Sequence, residues 1–489
     1  ATSFPSSGTV IIGTELITYS SKSGNTLSGL TRGASGTTAA IHSSGATVTD
    51  ASTYAGWGAA PSGDIITAPG LWALDNFGNT LIATIFSGET FTWSSDATNA
   101  TGTRAALASG APTASRDMLV STPDRHLVFF GTETTIGTKS TQDQMFIRFS
   151  SQEDITDYTP TATNSAGTQR LADGSRIMGA LRGRNAIYVW TDTALFLMRF
   201  VGAPFTFAFE QVGTNCGLIG KNAAVEVDGT VYWMSENGFF RYGGQLESLP
   251  CLVEDFVFDD LNTVTKQHVN AGLNNLFGEI NWFYVSSGAN TVNRVVTYNY
   301  LDSTAQRPVW TTGTLDRTAW SDSAIFGKPH ATQYDTSTNG SSTSSTYVEG
   351  NTDGVSIYYE HETGLNQVKE GAETAIVANI ESGDFDISIT KEGGASIKGD
   401  GEFIMKISRV IPDFLAQTGD ATVTLQLRDF PTDVEASSAL GPFTVTTSTK
   451  KIDTRARARA ISLKISNTST SQFWKLGTFR LDIQPDGRR

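Results

Sequence analysis

Three arginines stand at alternate positions in the stretch TRARARAISLKIS, residues 454–466, of a chain that is otherwise acidic. Period two is the strand period, so Arg455, Arg457 and Arg459 are expected on one face of a β-strand, with Ala456, Ala458 and Ala460 on the other. A row of guanidinium groups can bind phosphates, pair with carboxylates of a neighbouring chain, or be hydrated. Residues 450–489 hold ten Lys/Arg against three Asp/Glu, whereas the whole chain carries −14, so residues 1–449 carry −21. That segregation supplies anionic partners in abundance and favours contact with carboxylates or carbonyls of a neighbouring subunit. DNA is the weaker partner, because a short basic row without interleaved aromatics makes a poor single-strand groove.

Other residue types that could do chemistry are present but not in working patterns. The histidines His42, His126, His268, His330 and His361 are dispersed, and His361-Glu362 lacks the second His four places on that would put two metal ligands on one helical face. There is no G-x-S-x-G elbow. Neither Gly220-Lys221 nor Gly327-Lys328 has the upstream glycine or following hydroxyl of a phosphate loop. The pairs Glu153/Asp154 and Asp259/Asp260 are adjacent acids on loop or β-rich segments and are expected to face water. No catalytic residue, cofactor or metal is therefore expected. Cys216 and Cys251 are too few to staple 489 residues and read as half-buried thiols for which a bridge is unnecessary.

The elements that carry these residues read as strands. Hydrophobic residues make up 39% and charged residues 17%, with 48 Gly, a composition that favours many short strands and tight turns. From about 64 to 360 a polar turn, a β-rich run, a Gly/Asn/Asp turn and a second β-rich run recur: LWALDNFGNTLIATIFSGETFTWSSD (71–96), DRHLVFFGT (124–132) with MFIRFSS (145–151), AIYVWTDTALFLMRF (186–200), GTVYWMSENGFFRYGG (229–244), NWFYVSSGANTVNRVVTYNY (281–300) and, more weakly, GVSIYYEHETG (354–364). The markers Ile82, Leu127, Ile187, Val231 and Phe283 step by 45, 60, 44 and 52 residues, which suits four-stranded propeller blades better than a pair of sandwiches. Val253, Phe256, Val257 and Leu261 follow helical spacing after Pro250 and predict one helix between blades.

The expected fold is all-β: an N-terminal β module or arm over 1–60, a β-propeller over 61–380 and a sandwich-like β domain over 381–489. The Ser/Thr-rich stretch 335–350 reads as a loop. No run approaches the ~18 apolar residues of a membrane span. ATSFPSSGTV has neither the basic start nor the apolar block of a signal peptide, so export by the usual route is not expected.

Several stretches taken together resemble the tail nozzle (tail tubular or hub) proteins of short-tailed bacteriophages: WALDNFGNTLIATI (72–85), TPDRHLVFFG (122–131), IRFSSQEDITDYTPTATNSAG (147–167), YVWTDTALFLMRFVGAPFTF (188–207), CGLIG followed by VYWMSENGFFRYGG (231–244), WTTGTLDRTAW (310–320) and LGTFRLDIQPDGRR (476–489). The resemblance runs from about residue 57 onward and rests on the order and number of these stretches. It implies a structural virion protein at the distal end of the tail: a ring, usually a homohexamer, that attaches to portal-adaptor or other tail proteins and supports fibres or spikes. Genomic DNA passes through such a ring during ejection without specific binding. On this reading Arg455, Arg457 and Arg459 contact a neighbouring subunit or an adjacent ring. An acidic chain suits a conduit, since each neutralised phosphate adds salt-dependent affinity that slows passage. The alternative is a propeller that binds or hydrolyses glycans, although SGETFTW (87–93) lacks the Asp and Gly of the S-x-D-x-G-x-T-W turn found in sialidase-like blades.

Overall fold

A computed structural model of the chain describes residues 4–13, 15–34, 37–50, 71–94, 105–122, 124–322, 325–335, 355–369, 371–389, 395–396, 403–430 and 438–488. The loop expected at 335–350 lies, apart from Asp335, outside them. The chain divides into two compact units, Ala1–His361 and Glu362–Arg489.

The strand His126–Phe130 reads HLVFF with no polar interruption after its histidine, and every one of its residues is buried. Such a strand needs apolar neighbours on both faces. Leu127 and Phe129 share a core with Ala73 and Ile82 of the preceding sheet, whereas Val128 and Phe130 pack with Ile187 and Val189 of the following one. The same alternation recurs in Ile187–Thr191, where Tyr188 and Trp190 turn to the next sheet, and in Glu279–Tyr284, where Ile280 and Trp282 face backward and Phe283 forward. Sheets that each bury both faces against their sequence neighbours are stacked blades.

Six such sheets form a β-propeller within the first unit. Five are four-stranded antiparallel meanders, over 72–107, 117–170, 177–214, 224–249 and 270–313, and the sixth has three strands over 319–360 among the described residues. The first strands of blades 1, 2 and 3 lie side by side, as do those of blades 4, 5 and 6. A Cβ on Gly179, in the first strand of blade 3, would lie 2.6 Å from the Lys221 carbonyl just ahead of blade 4, so that glycine permits the close approach. Turn chemistry closes the hairpins. Asp228 and Gly229, between Val227 and its partner Thr230, have φ of +49° and +84°, as a two-residue type I′ loop demands.

The predicted helix is present as Glu254–Asp260, between blades 4 and 5, and buries Val257. Phe256, placed on the same stripe by spacing, is exposed instead. The helix has barely two turns, too few for its apolar stripe to reach both neighbours.

At the N-terminus Gly8–Ile12 pairs with Glu15–Tyr19 in register Gly8↔Tyr19 to Ile12↔Glu15. Glu15 is the hub. Its carboxylate takes two hydrogen bonds from Arg32 (both 2.5 Å), the Gly33 N–H at 2.9 Å, the Ala40 N–H at 3.0 Å and His42 Nε2 at 2.8 Å. The Arg32 guanidinium, with these other donors, holds it far below the usual carboxylate range.

In the second unit two sheets face each other. One has the order Asn379–Glu381, Ala460–Ser466, Ala421–Arg428, Ser438–Val445, and the other Ile452–Ala458, Phe403–Ile411, Arg480–Arg488. Ala421–Arg428 alternates buried and half-buried along its length, and Val423, Leu425, Met405, Ile407, Ala456 and Ile461 meet in one core.

Candidate functional site: the inner strands of the propeller

The first strand of each blade has no partner strand on its inner side, which leaves backbone donors and acceptors to be satisfied by other means. Polar side chains do this across blades. Asp75 of blade 1 accepts the Val120 N–H of blade 2 and Arg182 Nη1 of blade 3, both at 2.8 Å, and the same Nη1 donates to the Val120 carbonyl at 2.9 Å. Asp117 of blade 2 repeats the pattern one blade on: Oδ2 accepts the Ala180 N–H at 2.8 Å, and Oδ1 lies 3.1 Å from Lys221 Nζ. Asn270 of blade 5 donates from Nδ2 to the Arg317 carbonyl at 2.9 Å, ahead of blade 6. The Asp117–Lys221 pair is almost wholly buried, and such a pair is costly to break because the survivor is left as an uncompensated charge.

Two cavities open on this belt. One, of about 260 Å³, is lined by Leu181, Trp190, Lys221, Asn270, Thr318 and Trp320 among others. Within that lining Asn270 Oδ1 and Trp190 Nε1 are buried without a hydrogen-bond partner. The other, of about 190 Å³, is lined on its polar side by Arg116, Arg176, Lys221, Lys266 and Gln267, and on its apolar side by Leu71, Phe86, Met178, Ile219 and Val264.

A second polar constellation lies between blades 2 and 3. Asp124 Oδ2 is 3.0 Å from His126 Nδ1, and His126 Nε2 is 3.2 Å from Ser165 Oγ. The order Asp–His–Ser is that of a nucleophilic triad. Here, however, His126 is fully buried under the rings of Phe149, Phe200 and Phe207, with centroids at 6.2, 5.7 and 5.2 Å, and Ser165 Oγ accepts the Gln152 N–H at 2.8 Å. The chain of bonds therefore pins the 150–167 loop to its blade. Burial pushes the Asp124 carboxyl up, but the bonds from His126 and Ser121 together outweigh it and hold the carboxyl below its usual range.

The residues singled out by sequence are dispersed. Glu153 pairs with Arg125 at 3.2 Å, while Asp154 caps a turn by accepting the Thr156 N–H at 2.8 Å. Asp260 pairs with Arg294 at 3.2 Å. Cys216 and Cys251 are both free, and burial pushes their thiols up to about 11 and about 12. Among the described residues no cluster of His, Cys, Asp and Glu could hold a metal, and no helix is long and apolar enough to cross a membrane.

In the second unit Arg455 and Arg457 project from the strand Ile452–Ala458 with Ala456 and Ala458 buried behind them. Arg459 lies at the bend that follows this strand, and Ala460 begins the next one in the opposite sheet. Arg457 Nε donates to Asp486 of its own chain at 2.6 Å. Asp453 takes bonds from Lys451 at 2.8 Å and Arg409 at 3.0 Å, which hold its carboxyl below the usual range. Arg455 is exposed and has no carboxylate partner among the described residues. The outer face of this sheet is thus mixed in charge.

No family model matches the chain, and no curated protein matches it. Among solved structures, a putative 6-phosphogluconolactonase from Bacteroides fragilis is 11% identical, over 72% of this chain and 98% of that one, with a TM-score of 0.35. Another from Bacteroides uniformis is 10% identical over 67% and 89%, with a TM-score of 0.34. The WD40 domain of SCAP from fission yeast is 9% identical over 63% and 79%, with a TM-score of 0.29. At these scores the likeness carries no argument about this chain, and the propeller assignment rests on its own strand order and packing.

Proposed function

We propose that the chain is a structural virion protein, the tail nozzle subunit of a short-tailed phage. It forms a ring with copies of itself, most simply a hexamer, at the distal end of the tail, docks on adaptor or other tail proteins, carries fibres or spikes, and lets DNA pass. The observation that carries this reading is the hairpin Ala194–Gly202 with Thr206–Thr214, which falls largely within the resembling stretch 188–207. Its outer part extends past the neighbouring strand, which pairs only as far as Met198, so Arg199 to Gly202 pair with Ala208 to Thr206 alone. That end is held to its blade by Phe207 and Phe200 against His126 and by the Thr206 hydroxyl on the Ser165 carbonyl at 3.1 Å, yet it exposes Phe200 (46%), Val201 (54%) and Phe205 (76%). Large apolar side chains exposed together at a hairpin tip are those expected of an assembly contact. Arg455, exposed and with no carboxylate partner among the described residues, is assigned to an intersubunit or inter-ring carboxylate, with Arg457 and Arg459 beside it.

The test is mass in solution, by light scattering and negative-stain imaging. A ring of defined copy number is expected for the wild type. Phe205→Ser and Arg455→Ser are each expected to shift it toward monomer with the thermal transition unchanged within about 0.5 kcal/mol. A wild type that stays monomeric at every concentration and binds glycans would overturn the reading in favour of a lectin or glycosidase.

A further inference from the structure

The cavity of about 190 Å³ is lined by four cations drawn from four places in the chain, Arg116, Arg176, Lys221 and Lys266. Their internal partners do not use them up. Arg116 donates from Nε to the Ile177 carbonyl at 2.6 Å and from Nη1 to Gln144 Oε1 at 2.7 Å, with its guanidinium 4.8 Å from the Phe86 ring centre. None of these partners is charged. Lys221 lies within ion-pair distance of Asp117, yet Nζ is buried with no hydrogen bond directed from it. Lys266 pairs with the half-exposed Glu236. Arg176 donates no side-chain hydrogen bond among the described residues, and its Nε is buried and unpartnered. Asp192 lies close enough to act on Arg116 through space, but its oxygens are taken by Ser175 and by backbone N–H groups. Burial and the repulsion of the neighbouring Arg176 push Arg116 down to about 10, so Arg116 is still charged at neutral pH.

Two mutually repelling arginines and an undirected lysine around a cavity, in a chain of net charge −14, lack one thing, an anion. We propose that this cavity binds a small multivalent oxyanion of the phosphate class, held by Arg116, Arg176 and Lys221, with Lys266 at its edge. The donors outnumber what one carboxylate can accept: Arg116 keeps unused N–H groups on its guanidinium, Arg176 directs no side-chain hydrogen bond to a described residue, and the Lys221 ammonium has N–H groups beyond the one facing Asp117. A tetrahedral oxyanion accepts from several directions at once. It also fits, occupying the space of roughly two or three waters of about 30 Å³ each. The site joins the edge of blade 1 at Leu71 and Phe86, the start of blades 2 and 3, and the Val264–Gln267 turn ahead of blade 5. Bound anion therefore ties four parts of the propeller together.

The experiment is differential scanning calorimetry of the full chain in inorganic phosphate, glycerol 3-phosphate, acetate and chloride at matched ionic strength, with titration calorimetry of inorganic phosphate. Phosphate is expected to raise the propeller's transition by about 2–4 °C over chloride at saturating concentration, and acetate to leave it in place. A response to glycerol 3-phosphate as well identifies a phosphomonoester as an acceptable source, and a response to inorganic phosphate alone a free anion. Arg176→Ser removes no side-chain hydrogen bond found among the described residues, so its transition in chloride should match or exceed the wild type's, and its response to phosphate should vanish. Equal effects of phosphate and chloride, or a full phosphate response in Arg176→Ser, would overturn the proposal.

Discussion

His361 ends the first unit in a position that fixes its protonation state. Its Nε2 accepts the Arg317 Nε–H at 2.9 Å, and Arg317 lies 4.1 Å over the Tyr359 ring. Burial first, then Arg317 and His330, push the imidazole from 6.5 down to about 4. A protonated ring would lose its acceptor and face a buried guanidinium. Because the folded value is depressed, the unfolded chain binds more protons between pH 6.5 and 4, so stability rises with pH across that window and is lost on acidification. After discounting for solvent screening the loss is about 1–2 kcal/mol. Denaturant midpoints at pH 7 and pH 4.5 check this, and His361→Gln, which keeps an acceptor, should flatten the dependence. An unchanged slope in that variant would assign the acid sensitivity elsewhere.

Individual elements were legible where their signal is local. Ile82, Leu127, Ile187, Val231 and Phe283, chosen as markers of a repeat, each fall on the second strand of a blade, and each is at most 5% exposed. The second strand is buried on both faces, so its sequence is a short apolar run that stands out without knowledge of its partners. Inner strands are another matter. Nothing local marks Asp75 and Asp117, because the N–H groups they satisfy lie 45 and 63 residues away on other blades. Arg116, Arg176, Lys221 and Lys266 converge only through blade stacking, and Lys221 had been set aside for lacking a phosphate loop. Asp124 and His126 stand two residues apart, in the turn and at the start of the strand His126–Phe130, but Ser165 arrives from a distant loop. The period-two row expected for Arg455, Arg457 and Arg459 holds for Arg455 and Arg457 only, because the strand ends at Ala458 and the chain bends at Arg459 into the opposite sheet.

Tryptophan shows how blades are joined at this scale. Trp233 and Trp282 occupy comparable buried positions in blades 4 and 5 and donate to Cys216 and Ala223 carbonyls at 2.8 and 3.0 Å, both in the link that leads into the inner strand of blade 4. Trp190 in blade 3 is equally buried, but its Nε1 has no partner. Trp233→Phe should therefore cost about 1–3 kcal/mol, since it strands the Cys216 carbonyl, and Trp190→Phe distinctly less. Trp233→Ala should cost about 3–5 kcal/mol. Thermal or denaturant unfolding of the three variants checks the order, and equal losses for the two Phe variants would mean that the indole bond is not what joins blade 4 to the preceding link.

For the whole molecule, the two compact units have separate cores. The propeller's apolar clusters lie between consecutive blades, whereas the core of Glu362–Arg489 draws only on its own strands, from Ile387 through Ile407 and Val423 to Ile465. A unit with its own core and its own strand pairing meets the conditions for folding as a separate cooperative body. Ile407, Val423 and Leu425 are among its fully enclosed side chains. Calorimetry of the intact chain is accordingly expected to resolve two transitions. Leu425→Ala should lower one of them by about 2–5 kcal/mol of stability and leave the other in place, while Phe239→Ala, in the propeller core, should do the reverse. A fragment spanning 362–489 should keep the transition that Leu425→Ala moves. If instead both substitutions shift a single transition together, the separate cores are thermodynamically fused, and assembly rather than the individual unit is what makes the chain stable.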